Sequence, residues 1–401
     1  MSNSPSGIPR YRFTTAPALF REGFRPFFLL AALWAILSLV IWLPVLQGWT
    51  SLPSTFDPLS WHAHEMIYGF AVAAVAGFLL TVIPNWTGRF PLQGAPLVTL
   101  TAVWVAGRCA MAVSAWIGAL PAAVVDLAFL ALFVGAVVRE VVAGRSWRNL
   151  PPVFALGLLL IGNGMTHLEA AGIIATGDAG NRLGLAVLAG LIALVGGRII
   201  PSFTRNRLVK QKASRLPAAA GWFDRLVVGM VPLALGAWVV GIDEAAAGAL
   251  LLAAGLATGM RLARWRGIAT WRDPLLSALH LGYAWLALGL VLLGVSGIWT
   301  HVPESAALHA LGAGAVGTMI LAVMVRATLA HTGRAQIVGA GTAMLYLLAH
   351  AAALARVVAA FLPDSYPVLL PASGTAWIAA FSLFGLIYGP CLLKPRSRPA
   401  A

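Results

Sequence analysis

Twelve windows of about 20 apolar residues, the length that crosses a hydrocarbon core of roughly 30 Å, can be laid along this chain. They fall near 24–46, 62–84, 96–116, 120–142, 151–173, 182–201, 226–241, 246–263, 274–295, 307–328, 337–361 and 370–393. In lipid only helices and closed barrels satisfy every backbone polar group. Windows of this length therefore predict an all-α polytopic membrane protein with twelve transmembrane helices, one integral domain over 1–401. Composition agrees, since 60% of the 401 residues are hydrophobic and only 10% are charged, outside the range of soluble domains.

The formal net charge of +14 raises the question of a polyanionic partner, and its distribution answers it. Lys and Arg gather in one alternating set of loops: Arg10, Arg12 and Arg21; Arg89; Arg145 and Arg148; Arg205 to Arg225; Arg264 to Arg272; Arg334; and Lys394 to Arg398. The opposite set holds essentially Arg182 alone. Positive residues stay on the cytoplasmic side, so both termini are expected there, and no nucleic acid is needed to explain the charge. The first 23 residues are polar and the apolar run after them is too long for a signal-peptide core, so no cleaved signal is expected. Cys109 and Cys391 sit in different helices, which gives no disulfide framework.

A repeat runs through the even helices. From His64, helix 2 reads HEMIYGFAVAAVAGFLLTVIPNWTGR; from His309, helix 10 reads HALGAGAVGTMILAVMVRATLAHTGR. Without gaps these align His64 with His309, Gly69 with Gly314, and Thr87-Gly88-Arg89 with Thr332-Gly333-Arg334. Helix 6 fits the same frame with Asn181 at the histidine position. The spacing points to three four-helix units, 24–142, 151–263 and 274–393, in a pseudo-threefold arrangement. Such a plan is similar to that of the catalytic subunit of heme-copper oxidases, where helices 2 and 10 carry the two axial histidines of a heme. The chain departs from that plan in lacking the HxH of helix 10 and the histidine-rich helices 6 and 7 that hold copper.

Imidazole inside a membrane is costly unless buried, paired or bound to metal, so the 8 histidines carry the chemistry. At 1.5 Å per residue the 26 residues from His64 to Arg89 span about 39 Å, which places His62, His64 and His309 near the outer face. Helix 5 runs outward and brings His167, within NGMTHLEA, to the same depth. His62 and His64 differ by about 200° of rotation on a helix that Asp57 and Pro58 would cap, so they serve two adjacent centres. Glu65 lies at i+3 from His62 and could orient its ring. The bland alternative is an interfacial pair bonded to loop carbonyls, weakened by the convergence of four imidazoles on one depth. Deeper lie His350 near the middle of helix 11, where ligation or a proton path is expected, His280 in helix 9 and His331 at the cytoplasmic end of helix 10. Arg108 and Arg356 are intramembrane cations suited to carboxylates such as heme propionates; a protein ion pair with Glu65 or Glu169 is the equal alternative.

The segments FREGFRPFFLL (20–30), HAHEMIYGFA (62–71), NGMTHLEA (163–170), GRIIPSFTRN (197–206) and HALGAGAVGTMILAVMVRATLAHTGR (309–334) resemble the NnrS family. That resemblance implies a bacterial inner-membrane protein binding heme and copper, linked to denitrification and to protection against nitric oxide. By analogy with the oxidase plan, His64 and His309 are expected as axial ligands of heme b, with His62 and His167 holding a second heme or a copper near Glu65. Coupling two nitric oxide molecules to nitrous oxide needs two electrons, from a quinol or a cytochrome, and two protons, with Glu65, Glu169 and Asn163 as groups on the proton route. No CxxCH is present, so heme c is excluded. Two other classes stay open: a nitric oxide sensor or scavenger without turnover, and a transporter with helices broken near Gly312 to Gly317.

Overall fold

A computed structural model describes residues 15–396, so Arg10, Arg12 and Arg398 lie outside the described residues. It contains α1 (Phe24–Leu46), α2 (Pro58–Thr87), α3 (Ala95–Ala112), α4 (Ala119–Ala143), α5 (Trp147–Ala170), α6 (Ala179–Lys210), α7 (Trp222–Val240), α8 (Glu244–Ala263), α9 (Pro274–Ile298), α10 (Glu304–His331), α11 (Ala340–Phe361) and α12 (Pro363–Leu393), all long and apolar enough to span a membrane. No strand occurs among the described residues. The twelve windows thus become twelve helices.

Local sequence explains where they start. Asp57 accepts hydrogen bonds from the N–H groups of Leu59 and Ser60, and Pro58 fills the first position of α2, where its missing N–H is harmless. Asp273 and Pro274 open α9 in the same way. Helix association in lipid gains little from the hydrophobic effect, so close packing and buried polar contacts hold the bundle. At Gly248 of α8 an added methyl would lie 2.7 Å from the Gly294 carbonyl oxygen of α9, a backbone approach only glycine allows. Arg25 of α1 donates to the Leu392 and Lys394 carbonyls at 3.0 and 2.7 Å and tethers the end of α12.

Three helices form the centre. The most apolar windows of α2, α6 and α10 are 67%, 56% and 67% buried, whereas no other exceeds 44%, and these three touch one another. Each widens into a π turn, at Glu65–Ala71, Ile192–Gly196 and Ala310–Gly317, a feature frequent at functional sites. In α2 and α10 the π turn begins directly after His64 and His309, the positions the repeat aligns; in α6 it starts further along. Backbone groups disturbed by the α6 turn are met by Arg261 of α8, which donates to the Ala193 carbonyl at 3.1 Å and pairs with Asp224 at 3.0 Å. Gly312 to Gly317 belongs to the π turn of α10, so the helix there is widened and not broken.

Candidate functional site

His64 is fully buried, and both its ring nitrogens face acceptors. Nδ1 lies 2.9 Å from Glu65 Oε1; Nε2 lies 2.8 Å from Asn163 Oδ1 and 3.3 Å from Asp126 Oδ2. Asn163 turns its amide to Asp126, donating at 2.8 Å, and His167 Nε2 approaches the same Asp126 oxygen at 3.0 Å. Ligand atoms of His64, Asp126 and His167 all lie within 4.8 Å of one another. The group is assembled from α2, α4 and α5, with Phe56 packed against both imidazoles. Asn163 and His167 share a helix face as their spacing predicts.

Charge defines what this group lacks. Glu65 accepts from Arg108 Nη1 at 2.6 Å and from the Trp34 indole at 2.7 Å, and Arg108 Nη2 donates to Asp126 Oδ1. Two buried carboxylates share one guanidinium. A neutral imidazole can donate from only one nitrogen, yet His64 meets acceptors at both. The cluster therefore calls for one more positive charge, either a second proton on His64 or a metal ion at Nε2. Asp126 lies 3.0 and 3.3 Å from the two imidazole nitrogens, and all three ligand atoms are close enough together to share one ion.

The other face of α2 opens on a cleft. His62 lines it with His309 of α10, Arg356 of α11, Asn181 and Arg182 of α6, and Asp178 just before α6. The cleft, its open mouth included, holds about 1120 Å³. Among the described residues, three polar atoms buried along it have no partner: His62 Nδ1, Asn181 Oδ1 and Arg356 Nη1. Orphaned buried donors and acceptors are rare in native proteins and point to a missing partner. Trp42 stacks on His62 with ring centroids 4.0 Å apart. His309 Nδ1 lies 2.7 Å from the Ser305 carbonyl, a contact in which the nitrogen donates, so the lone pair sits on Nε2. At the mouth, burial raises the Asp178 carboxyl above its ordinary value.

His62 and His64 of HAHEMIYGFA face different surroundings, and the neighbours of the two rings are the reverse of those expected from the sequence. His62, not His64, stands with His309; His64, not His62, stands with His167. Glu65 accordingly orients the adjacent His64 and not His62. Arg108 adopts the protein ion-pair alternative, with Glu65 and Asp126. Removing one partner of such a buried pair costs about 3–5 kcal/mol, so Arg108 is committed to these carboxylates and away from any propionate. Glu169 lies outside both centres, where it accepts from Thr176 Oγ1 at 2.5 Å and fixes the loop after α5. His350 accepts from the Trp285 indole at 3.2 Å, His280 sits 3.0 Å from the Leu276 carbonyl and His331 packs on Phe24; none joins either centre. Asp126 is absent from the sequence reading, although a lone carboxylate inside LPAAVVDLAFLALF carries the same signal as Arg108.

The NnrS protein family model matches residues 18–396. The chain belongs to the NnrS family. A search of curated proteins gives no match. The NnrS match spans every helix that supplies a side chain to the two centres, from Trp34 in α1 to Arg356 in α11.

Proposed function

We propose that this NnrS-family chain is a heme- and metal-containing protein of the bacterial inner membrane that acts in nitric oxide tolerance and denitrification, reducing nitric oxide to nitrous oxide. The observation that carries this reading is the His64–Asp126–His167 group with its unmet demand for a positive charge. Two imidazoles and a carboxylate fit a d-block ion, copper(II) or iron(II), with coordination positions left open. The cleft fits a heme in its donor set: His62 and His309 offer imidazoles, and Arg356 offers an unpaired guanidinium nitrogen to a propionate. Bound iron or copper would supply electron transfer and an open position for nitric oxide.

The residues themselves do the rest. Glu65 fixes the His64 ring through Nδ1, in the manner of carboxylates that orient metal-ligating histidines. Arg108 holds Glu65 and Asp126 in place, and Asn163 donates its amide to Asp126. Burial raises the Asp178 carboxyl, which lines the cleft from just before α6, above its ordinary value. The overall reaction, two nitric oxide, two electrons and two protons to nitrous oxide and water, takes its electrons from a quinol or a cytochrome.

Metal analysis and a reduced-minus-oxidised spectrum of the purified protein test the cofactors; anaerobic incubation with nitric oxide and a reduced donor tests turnover. A b-type band, one non-heme metal ion and nitrous oxide formation are expected. Absence of both heme and metal from well-folded protein would overturn the reading, and nitric oxide binding without nitrous oxide would make the chain a sensor or scavenger.

A further inference from the structure

The cleft does not end where its polar residues do. A second, apolar pocket of about 780 Å³, its open mouth included, lies beyond it towards the Arg89 and Arg334 ends of α2 and α10. Leu188 and Val316 border both spaces. On α10 the lining steps from His309 through Ala313 and Val316 to Ile320 and Val323, and on α6 from Leu185 through Leu188 to Ile192. Leu188 and Val316, common to both linings, join the two spaces across the π turn of α10. The two voids are therefore successive parts of one lumen between the central helices, and what changes at Leu188 and Val316 is the chemistry of the wall.

Every side chain lining the second void is apolar, and the α6 carbonyls of Ala193 and Gly197 beside its wall are occupied by Arg261. An ion, a proton or a quinone head would arrive without a hydrogen-bonding partner, at a cost of several kcal/mol. A small neutral diatomic gas needs no such partner and concentrates in hydrocarbon. Resting on the nitric oxide reading above, we propose that the apolar half of the lumen is the inlet and holding site for nitric oxide, which passes between Leu188 and Val316 into the His62–His309 cleft.

Anaerobic consumption of limiting nitric oxide by the reduced holoprotein reads the passage of this small neutral ligand and needs no open position on a heme held by His62 and His309. Val316→Phe, filling the neck, is expected to slow consumption at limiting nitric oxide about tenfold, with the rate at saturating nitric oxide and the heme spectrum unchanged, as for an inlet barrier raised by about 1.4 kcal/mol; Val316→Ala should speed it. Unchanged consumption at limiting nitric oxide in Val316→Phe, with an unchanged spectrum, would overturn the proposal. Crystals of the wild-type holoprotein under xenon pressure give a reading that needs no variant. Xenon is expected between Phe78, Ile192 and Ile320, and its absence there would overturn the inlet even if Val316→Phe failed to fold. A protein lacking heme but binding xenon at this place would instead remove the functional reading and leave the apolar gas site standing.

Discussion

Two histidines separated by one alanine meet different surroundings because each ring is completed by different helices. His62 lies against Trp42 and shares its cleft with His309, while His64 is enclosed by Glu65, Asn163, Asp126 and His167. His62→Ala and His309→Ala are therefore expected to abolish the same heme absorption, whereas His64→Ala, His167→Ala and Asp126→Ala remove the non-heme metal and leave that absorption in place. Loss of one spectral feature from both His62→Ala and His64→Ala would show a single shared centre. Asp178 gives a test in pH. Burial raises its carboxyl from the ordinary 3.8, Glu169 and Asp57 add to the shift, and Asn181 and Arg182 oppose it. The folded chain thus binds this proton more tightly than the unfolded one, so the stabilisation is complete below 3.8 and is lost as pH rises through the folded-state value. Asp178 holds a left-handed backbone with φ 66°, which asparagine tolerates. Asp178→Asn should flatten the fall in unfolding temperature above that pH; identical wild-type and variant profiles would refute the assignment.

At the scale of the helix, the π turns decide which partner each ring meets. Inside the α2 turn, Gly69 leaves no room for a side chain: an added methyl would lie 2.7 Å from the Trp34 indole nitrogen and 2.9 Å from both Arg108 Nη1 and Glu65 Oε2. Gly69→Ala is expected to push these groups apart, with about 1–3 kcal/mol lost to overpacking and metal content reduced, while Gly135→Ala, which meets open space in α4, changes neither. Metal content and unfolding temperature of the two variants read this directly. The twelve spans, the Asp57–Pro58 cap and the two-sided use of His62 and His64 were legible because hydropathy, capping and helical rotation belong to a single helix. The exchange of partners was not, since periodicity states where a side chain points on its own helix and not which neighbour waits there. Helix α2 also leaves α-periodicity immediately after His64. Asp126 shows a further limit of pattern reading: one carboxylate hardly alters the hydropathy of α4, yet it joins both histidines and Arg108.

Across the whole molecule the polar groups of the central lumen are confined to one end. His62, His309, Asn181, Arg182 and Asp178 stand on the side away from the Arg89 and Arg334 ends, and only apolar side chains line the other half. The loops at the basic end carry most of the positive charge, and by the positive-inside rule that end is expected in the cytoplasm. Protons do not cross the apolar half without hydrogen-bonding partners, so under the proposed nitric oxide reduction the protons consumed are expected to enter on the polar side, past Asp178. The expectation concerns vesicles reconstituted with the outer face outwards, supplied with nitric oxide and a reductant that itself releases no protons. The external medium should become alkaline by one proton per nitric oxide, the interior pH should stay constant, and an uncoupler should leave the rate unchanged. Interior alkalinisation during turnover would show a proton route through the cytoplasmic half and would contradict the division of the lumen into a polar outer part and an apolar inner part.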